Sequence, residues 1–164
     1  MTAEELLRRY AAGERDFSDA NLRRIKLQYV SLSGINLSGV DLSEARLFRI
    51  DLSRANLSGV NLADTIIEDV DLSGADLSRA DLDGTQIRRS SMERTNFENA
   101  LLYRTGMDDS WLEKANFRNV EFGETFFTRC ILRDAIVDTN ELRGCYLTQT
   151  SLPDDEIVTN VIQD

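Results

Sequence analysis

Every fifth residue from Phe17 to Leu152 is apolar, at all 28 positions: 18 Leu, five Phe, two Ile, two Met and one Val. The frame never slips. Two residues before each of these centres, from Ala20 to Thr150, the 27 positions hold Ala, Val, Ile, Thr, Ser or Cys, with Asn140 the one amide and no charge anywhere. The unit is therefore small, polar, large apolar, polar, polar, as in Ala55-Asn56-Leu57-Ser58-Gly59. A period of five fits neither the helix period of 3.6 nor the strand period of 2. Two inward residues per five predict a chain that turns a corner after each unit, and self-similarity at a fixed period predicts a stacked solenoid. Gly34, Gly39, Gly59, Gly74, Gly84 and Gly144 each follow a centre by two, which is where a type II turn requires positive φ.

Units such as Ala20-Asn21-Leu22, Ala55-Asn56-Leu57-Ser58-Gly59 and Ala75-Asp76-Leu77-Ser78-Arg79 resemble the A-(D/N)-L-x-x motif of the pentapeptide-repeat family, and the likeness runs from residue 16 to 152. The resemblance implies an all-β solenoid. It would be a right-handed quadrilateral β-helix with four units per coil, about seven coils stacked at the inter-strand spacing of ~4.8 Å. The segment Arg8 to Phe17 is similar to the start of cyanobacterial members. Two columns support a coil of four units without the family. Thr65, Thr85, Thr105 and Thr125 form an inward Thr file. Outside, Arg49, Asp69, Arg89, Asp109 and Arg129 alternate in sign, with Glu68, Arg88 and Asp108 beside them. Exposed ion pairs of this kind set register more than they add stability.

The flanks read as caps, giving three segments: 1–14 as an N-terminal capping helix, 15–152 as the β-helix and 153–164 as a tail or cap. Thr2 and Glu5 form a capping box, Gly13 fits the helix C-terminus, and Leu6, Leu7, Tyr10 and Ala11 share a face. Such a helix covers the open edge of the first coil. After Pro153, the only Pro, Asp154 or Asp155 could cap a short C-terminal helix with Ile157, Val158, Val161 and Ile162 as its stripe. A disordered acidic tail is the alternative.

Charge narrows the function classes. The net charge is −10 and His is absent, which argues against direct binding to nucleic acid or to anionic membrane. No apolar run approaches spanning length, and the acidic start lacks a hydrophobic secretory region. Two Cys without Cys-x-x-Cys spacing suit a reducing cytoplasm, and both fall on inward positions. The repeated Ser after the centres are turn residues with no His to activate them, so no enzyme activity is expected. Asp81-Leu82-Asp83 and Asp154-Asp155-Glu156 lack the further spacing of a metal site. No metal, cofactor or phosphate loop is expected.

The second half departs from Asn or Asp before the centre, placing Leu101, Trp111, Phe126, Ile131, Ile136 and Tyr146 at outward positions. Exposed aromatic and aliphatic residues of this kind mark interfaces. Trp111, Phe126, Ile131, Ile136 and Tyr146 are therefore the candidate surface for an unidentified protein partner, or for a homodimer through the C-terminal coils. The competing readings are a tail folded back over them, or residues that are scattered and inert. One side of the rod gathers Asp41, Glu44, Asp64, Asp81, Asp83, Glu121, Glu124 and Glu141 against Arg23, Arg24, Arg104 and Arg143. Two functions follow: a rigid interaction scaffold, or, as the resemblance implies, a duplex-mimicking modulator of DNA gyrase that uses the acidic side. The unbroken register lacks the projecting loops of many gyrase-protecting members.

Overall fold

The computed structural model describes residues 1–138 and 140–158. Among the described residues, helix α1 (Ala3–Ala11) precedes eleven short strands. Seven of them stack in parallel on one side of a solenoid: β1 (Lys26–Ser31), β2 (Arg46–Asp51), β3 (Ile66–Glu68), β4 (Gln86–Arg88), β6 (Gly106–Asp108), β8 (Phe126–Thr128) and β9 (Tyr146–Thr148). β5 (Leu101–Tyr103) and β7 (Glu121–Gly123) pair on a second side. Every parallel pair, from Lys26↔Arg46 to Phe126↔Tyr146, joins residues 20 apart, so each coil holds four units. The sides are named by their centres: one (Phe17, Leu37), two (Leu22, Leu42), three (Leu27, Leu47) and four (Leu32, Leu52). Side three carries the seven-strand stack. It spans six intervals at ~4.8 Å, or roughly 29 Å; the regular solenoid makes about six turns rather than the seven expected, because the 3₁₀ helix at Glu141–Gly144 interrupts the last coil.

The two-position pattern explains the interior. All centres are buried except Phe122 and Val137, which are half-buried, and the small positions line the core between them. On three of the four corners the N–H of the small residue bonds the carbonyl of the preceding centre, as in Ala55 to Leu52 at 3.1 Å. The residue two after the centre has φ near +60° at every unit from Arg24 to Asp134. Five are Gly, but Arg, Asp, Asn, Glu and Lys serve as well, and even Tyr29 adopts this conformation (φ 57°). Gly144 does not, because it closes a 3₁₀ helix (Glu141–Gly144). Among the described residues, that helix is where the frame breaks. Asn140 would have to bury its amide at an inward position; it is exposed instead, bonded to Asp138.

The buried hydroxyls of the Thr file find backbone partners. Thr65, Thr85, Thr105 and Thr125 donate to the carbonyls of Leu42, Leu62, Leu82 and Leu102 at 2.6–2.9 Å. Burial raises both Cys130 and Cys145, each to about 12, so neither is a thiolate nucleophile.

α1 caps the first coil. Thr2 accepts from the Glu5 N–H, Leu6 is buried, and Tyr10 donates to the Ser33 carbonyl at 2.9 Å. Ala11, placed on the apolar face by its spacing, is exposed. The other end differs from expectation. After a turn at Pro153–Asp155, β11 (Ile157–Val158) pairs antiparallel with β10 (Thr150–Ser151). No C-terminal helix forms over these residues, because β-branched Ile157 and Val158 suit a strand and an open edge is there to receive them. Val161 and Ile162 lie outside the described residues.

Candidate interaction surface

The four sides differ in the residue that precedes each centre. On side one Asp16, Asn36, Asn56, Asp76, Asn96 and Asn116 each accept the N–H of the residue two further on, at 3.0–3.2 Å. Their amides also link coils, as Asn116 does to Asn96 at 2.9 Å. Here the fold itself demands Asn or Asp. Side three has neither anywhere: the column reads Lys26, Arg46, Ile66, Gln86, Gly106, Phe126, Tyr146. Its units are strands, and the corner that follows them lacks the turn bond. The N–H groups of Val70, Ser90 and Cys130 instead reach the hydroxyls of Ser90, Ser110 and Thr150 in the next coil. Side three is thus a parallel sheet whose outward residues owe the backbone nothing.

Its C-terminal end is aromatic. The Phe126 and Tyr146 rings stack with centroids 4.6 Å apart and planes at 9°, and Phe126 remains 43% exposed. Above them Gly106 leaves a notch of about 340 Å³ between Gln86 and Phe126, rimmed by Arg88, Arg104 and Asp108. A Cβ on Gly106 would come within 2.6 Å of Gln86 Oε1. β9 is the last strand of the stack.

The other candidates lie elsewhere. Trp111 and Ile131 are bridged in register on side four, followed by Ser151, whose partner in the tail is Ile157. Arg129 stands at the corner between Phe126 and Ile131. Ile136 ends the Asn/Asp column of side one and is 42% exposed. The five residues therefore form a stacked pair, a bridged pair and a single side chain, on three sides. The half-buried Leu101 is on side two. The tail pairs beside Ser151, on side four.

The charge ladder between sides three and four forms in two pieces. Asp69 bridges Arg49 at 3.4 Å and Arg89 at 2.8 Å, and Arg89 also holds Glu68. Arg129 binds Asp109 and Asp108, each at 2.6 Å. No bridge joins Arg89 to Asp109 among the described residues. The Arg89 hydrogen bond keeps Asp69 below its ordinary pKa, as Arg129 does for Asp109.

The eight acids do fall on side two or its corner, but most are engaged. Arg24 and Arg23 both clamp Glu44 and lower it to about 2. Arg104 binds Asp83. Asp41 and Asp81 accept the N–H groups of Ser43 and Asp83. Tyr103 donates to Glu121. Among the described residues this leaves Asp64, Glu124 and Glu141 without a side-chain partner.

Sequence reasoning passed over Lys26, Tyr29, Arg46 and Phe48 at the N-terminal end of side three. The signals were present: a whole column without Asn or Asp, and Tyr29 as the only aromatic residue two places after a centre.

Comparison with known proteins agrees with this geometry. The family model described as "Pentapeptide repeats" matches in eight copies, over residues 16–54, 55–94 and 80–119. Among solved structures, Rfr23, a pentapeptide repeat protein from the cyanobacterium Cyanothece 51142, is similar with a TM-score of 0.67 at 22% identity. The match covers 79% of this chain and 98% of that one. QnrB1, a plasmid-mediated fluoroquinolone resistance protein, aligns with a TM-score of 0.51 at 18% identity, covering 92% and 89% of the two chains. At these identities the likeness shows the fold. No match is found among curated proteins.

Proposed function

The chain belongs to the pentapeptide-repeat family, and from that premise we propose that it is a non-enzymatic scaffold that binds a protein partner through side three. The observation that carries this reading is the Phe126–Tyr146 stack beside the Gly106 notch, with Phe126 exposed and Tyr146 half-buried, on the side where the fold makes no demand on outward residues. A rigid sheet binds with little ordering cost, and aromatic side chains anchored on it are effective hot spots. A second copy docking through the same coils is the homodimer form of the same reading. The test compares wild type with F126D/Y146D by affinity capture from lysate and by mass from light scattering. The double variant should keep its melting temperature and lose either the captured partner or the dimer mass. If both the captured proteins and the mass are unchanged, this surface is not the binding site.

The second reading is a duplex-mimicking modulator of DNA gyrase, supported by the net charge of −10 and the carboxylates on side two. It is tested by titrating purified protein into a gyrase supercoiling assay with and without a quinolone. Dose-dependent inhibition or protection, lost on reversing Asp64, Glu124 and Glu141 to Lys, supports mimicry. No effect at micromolar excess removes it.

A further inference from the structure

Lys26 and Arg46 lie directly opposite each other in register on β1 and β2. Like charges so placed repel, and a protein with 29 acids against 19 bases had ample means to pair them. It does not. Glu44, two residues before Arg46, is held by Arg23 and Arg24; in the next coil Glu68 is held by Arg89, and Asp69 by Arg49 and Arg89. Lys26 and Arg46 form no salt bridge among the described residues, and both are exposed.

Aromatic surface adjoins these two cations. Tyr29 is 63% exposed at a corner where every other described residue is Gly or polar. Its ring meets Phe48 edge-on at 5.4 Å, and the Arg49 guanidinium lies 5.7 Å from Tyr29 and 5.1 Å from Phe48. That guanidinium is thereby fixed over two rings. One coil further along, Ile66 follows Arg46 in the same column and is 39% exposed.

We propose that this end of side three is a docking strip for an acidic helical segment of a protein partner. Two unpaired cations one coil apart, beside an aromatic platform and followed by Ile66, complement carboxylates placed on one helix face and followed by an apolar residue. The spacing fits: three residues of α-helix rise about 4.5 Å, against a coil spacing of ~4.8 Å. A nucleic acid would also offer anions, but it would run along the rod and meet the remaining acidic field. A short peptide meets only the local patch, because the screening length is ~8 Å at physiological salt. The inference rests on the scaffold reading and adds a second contact surface, with its own partner chemistry, to side three.

The experiment is selection from a phage-displayed library of random peptides against the full chain, repeated against K26E/R46E, F48A and F126D/Y146D. Recovered peptides are synthesised and titrated by fluorescence anisotropy. Acidic peptides with carboxylates three or four residues apart should be enriched on the wild type. They should bind K26E/R46E at least about tenfold more weakly, and should weaken with salt. F48A should reduce binding, and F126D/Y146D should leave it intact even if the C-terminal surface proves inert. Enrichment without acidic residues, equal binding to K26E/R46E, no enrichment at all, or tighter binding of a labelled oligo-dT would each overturn the proposal. Unchanged melting temperatures of the variants establish that the fold is not the cause.

Discussion

Phe117 is the position where the packing argument is most exposed to test. It is a fully buried centre on side one, below Leu37, Leu57, Leu77 and Phe97 in the same column. Its ring stacks on Phe97 at 5.0 Å with planes parallel, and meets Phe122 at 6.0 Å and Phe127 at 6.3 Å. Truncation to Ala removes the ring from a site whose backbone is tied to the coils on either side, so the cavity cannot collapse. The loss should be about 4 kcal/mol, or a fall in Tm of roughly 8–16 °C for a chain of this size. Leu is different, because the column already accepts Leu three times without distortion. F117L should forfeit chiefly the ring–ring terms, about 1–2 kcal/mol. The assay is urea unfolding followed by far-UV circular dichroism and by fluorescence of Trp111, the only Trp, in the neighbouring unit. If F117L costs as much as F117A, or F117A costs under about 1.5 kcal/mol, the column picture of the core is wrong.

Other outcomes follow from the same structure. T105V should be close to neutral by thermal unfolding, since Leu82 keeps the Thr85 N–H as a partner and the new methyl is buried. T105A, which loses both, should cost about 2 kcal/mol. Acid should destabilise the protein: Glu44, Asp41, Asp69, Asp83 and Asp109 are all lowered in the folded state. Their contribution is complete above the ordinary carboxylate range and disappears as pH falls toward about 2, where Glu44 titrates; chemical-denaturant midpoints at pH 7, 4 and 3 should fall in that order. R89Q should lower the melting temperature at low salt and have no effect at 1 M NaCl, because the pairs it breaks are exposed. Cys130 and Cys145 should resist a thiol reagent at pH 8 until denaturant is added.

The fold could be read from the sequence because its signal is redundant. One apolar and one small residue recur with no slip, and the Thr and charge columns independently give the coil its length. Individual departures were harder. Asn140 was visible as the one amide among the inward residues, but not that Glu141–Gly144 would coil into a 3₁₀ helix around it. Ile157 and Val158 were read at helical spacing, yet the exposed edge at Thr150–Ser151 outweighed a weak helix propensity. The candidate surface was half legible. Their place before a centre picked out Phe126 and Tyr146, but only the structure shows that they stack, while Trp111 and Ile136 face elsewhere. Lys26 and Arg46 were missed because single exposed cations are unremarked in any sequence. Their meaning depends on who stands opposite.

A net charge of −10 suggests an acidic protein with an acidic purpose, and the structure accounts for much of that charge otherwise. At least twelve Asn and Asp side chains serve the backbone two residues on, from Asp16 to Asn116. Asp in those places is a coil-building residue that happens to be charged. On side two the arginines then take up Glu44 and Asp83, leaving three of the eight acids without a partner among the described residues. Function is better sought where the fold's own requirements are silent. By that criterion side three stands apart along its whole length, with free cations and aromatic rings at one end and an aromatic stack at the other. A ligand matched to it would itself be polarised, acidic toward α1 and apolar toward β9. For a partner long enough to span both ends, unlike the short peptides that meet only the Lys26 and Arg46 patch, loss of either end alone should weaken binding.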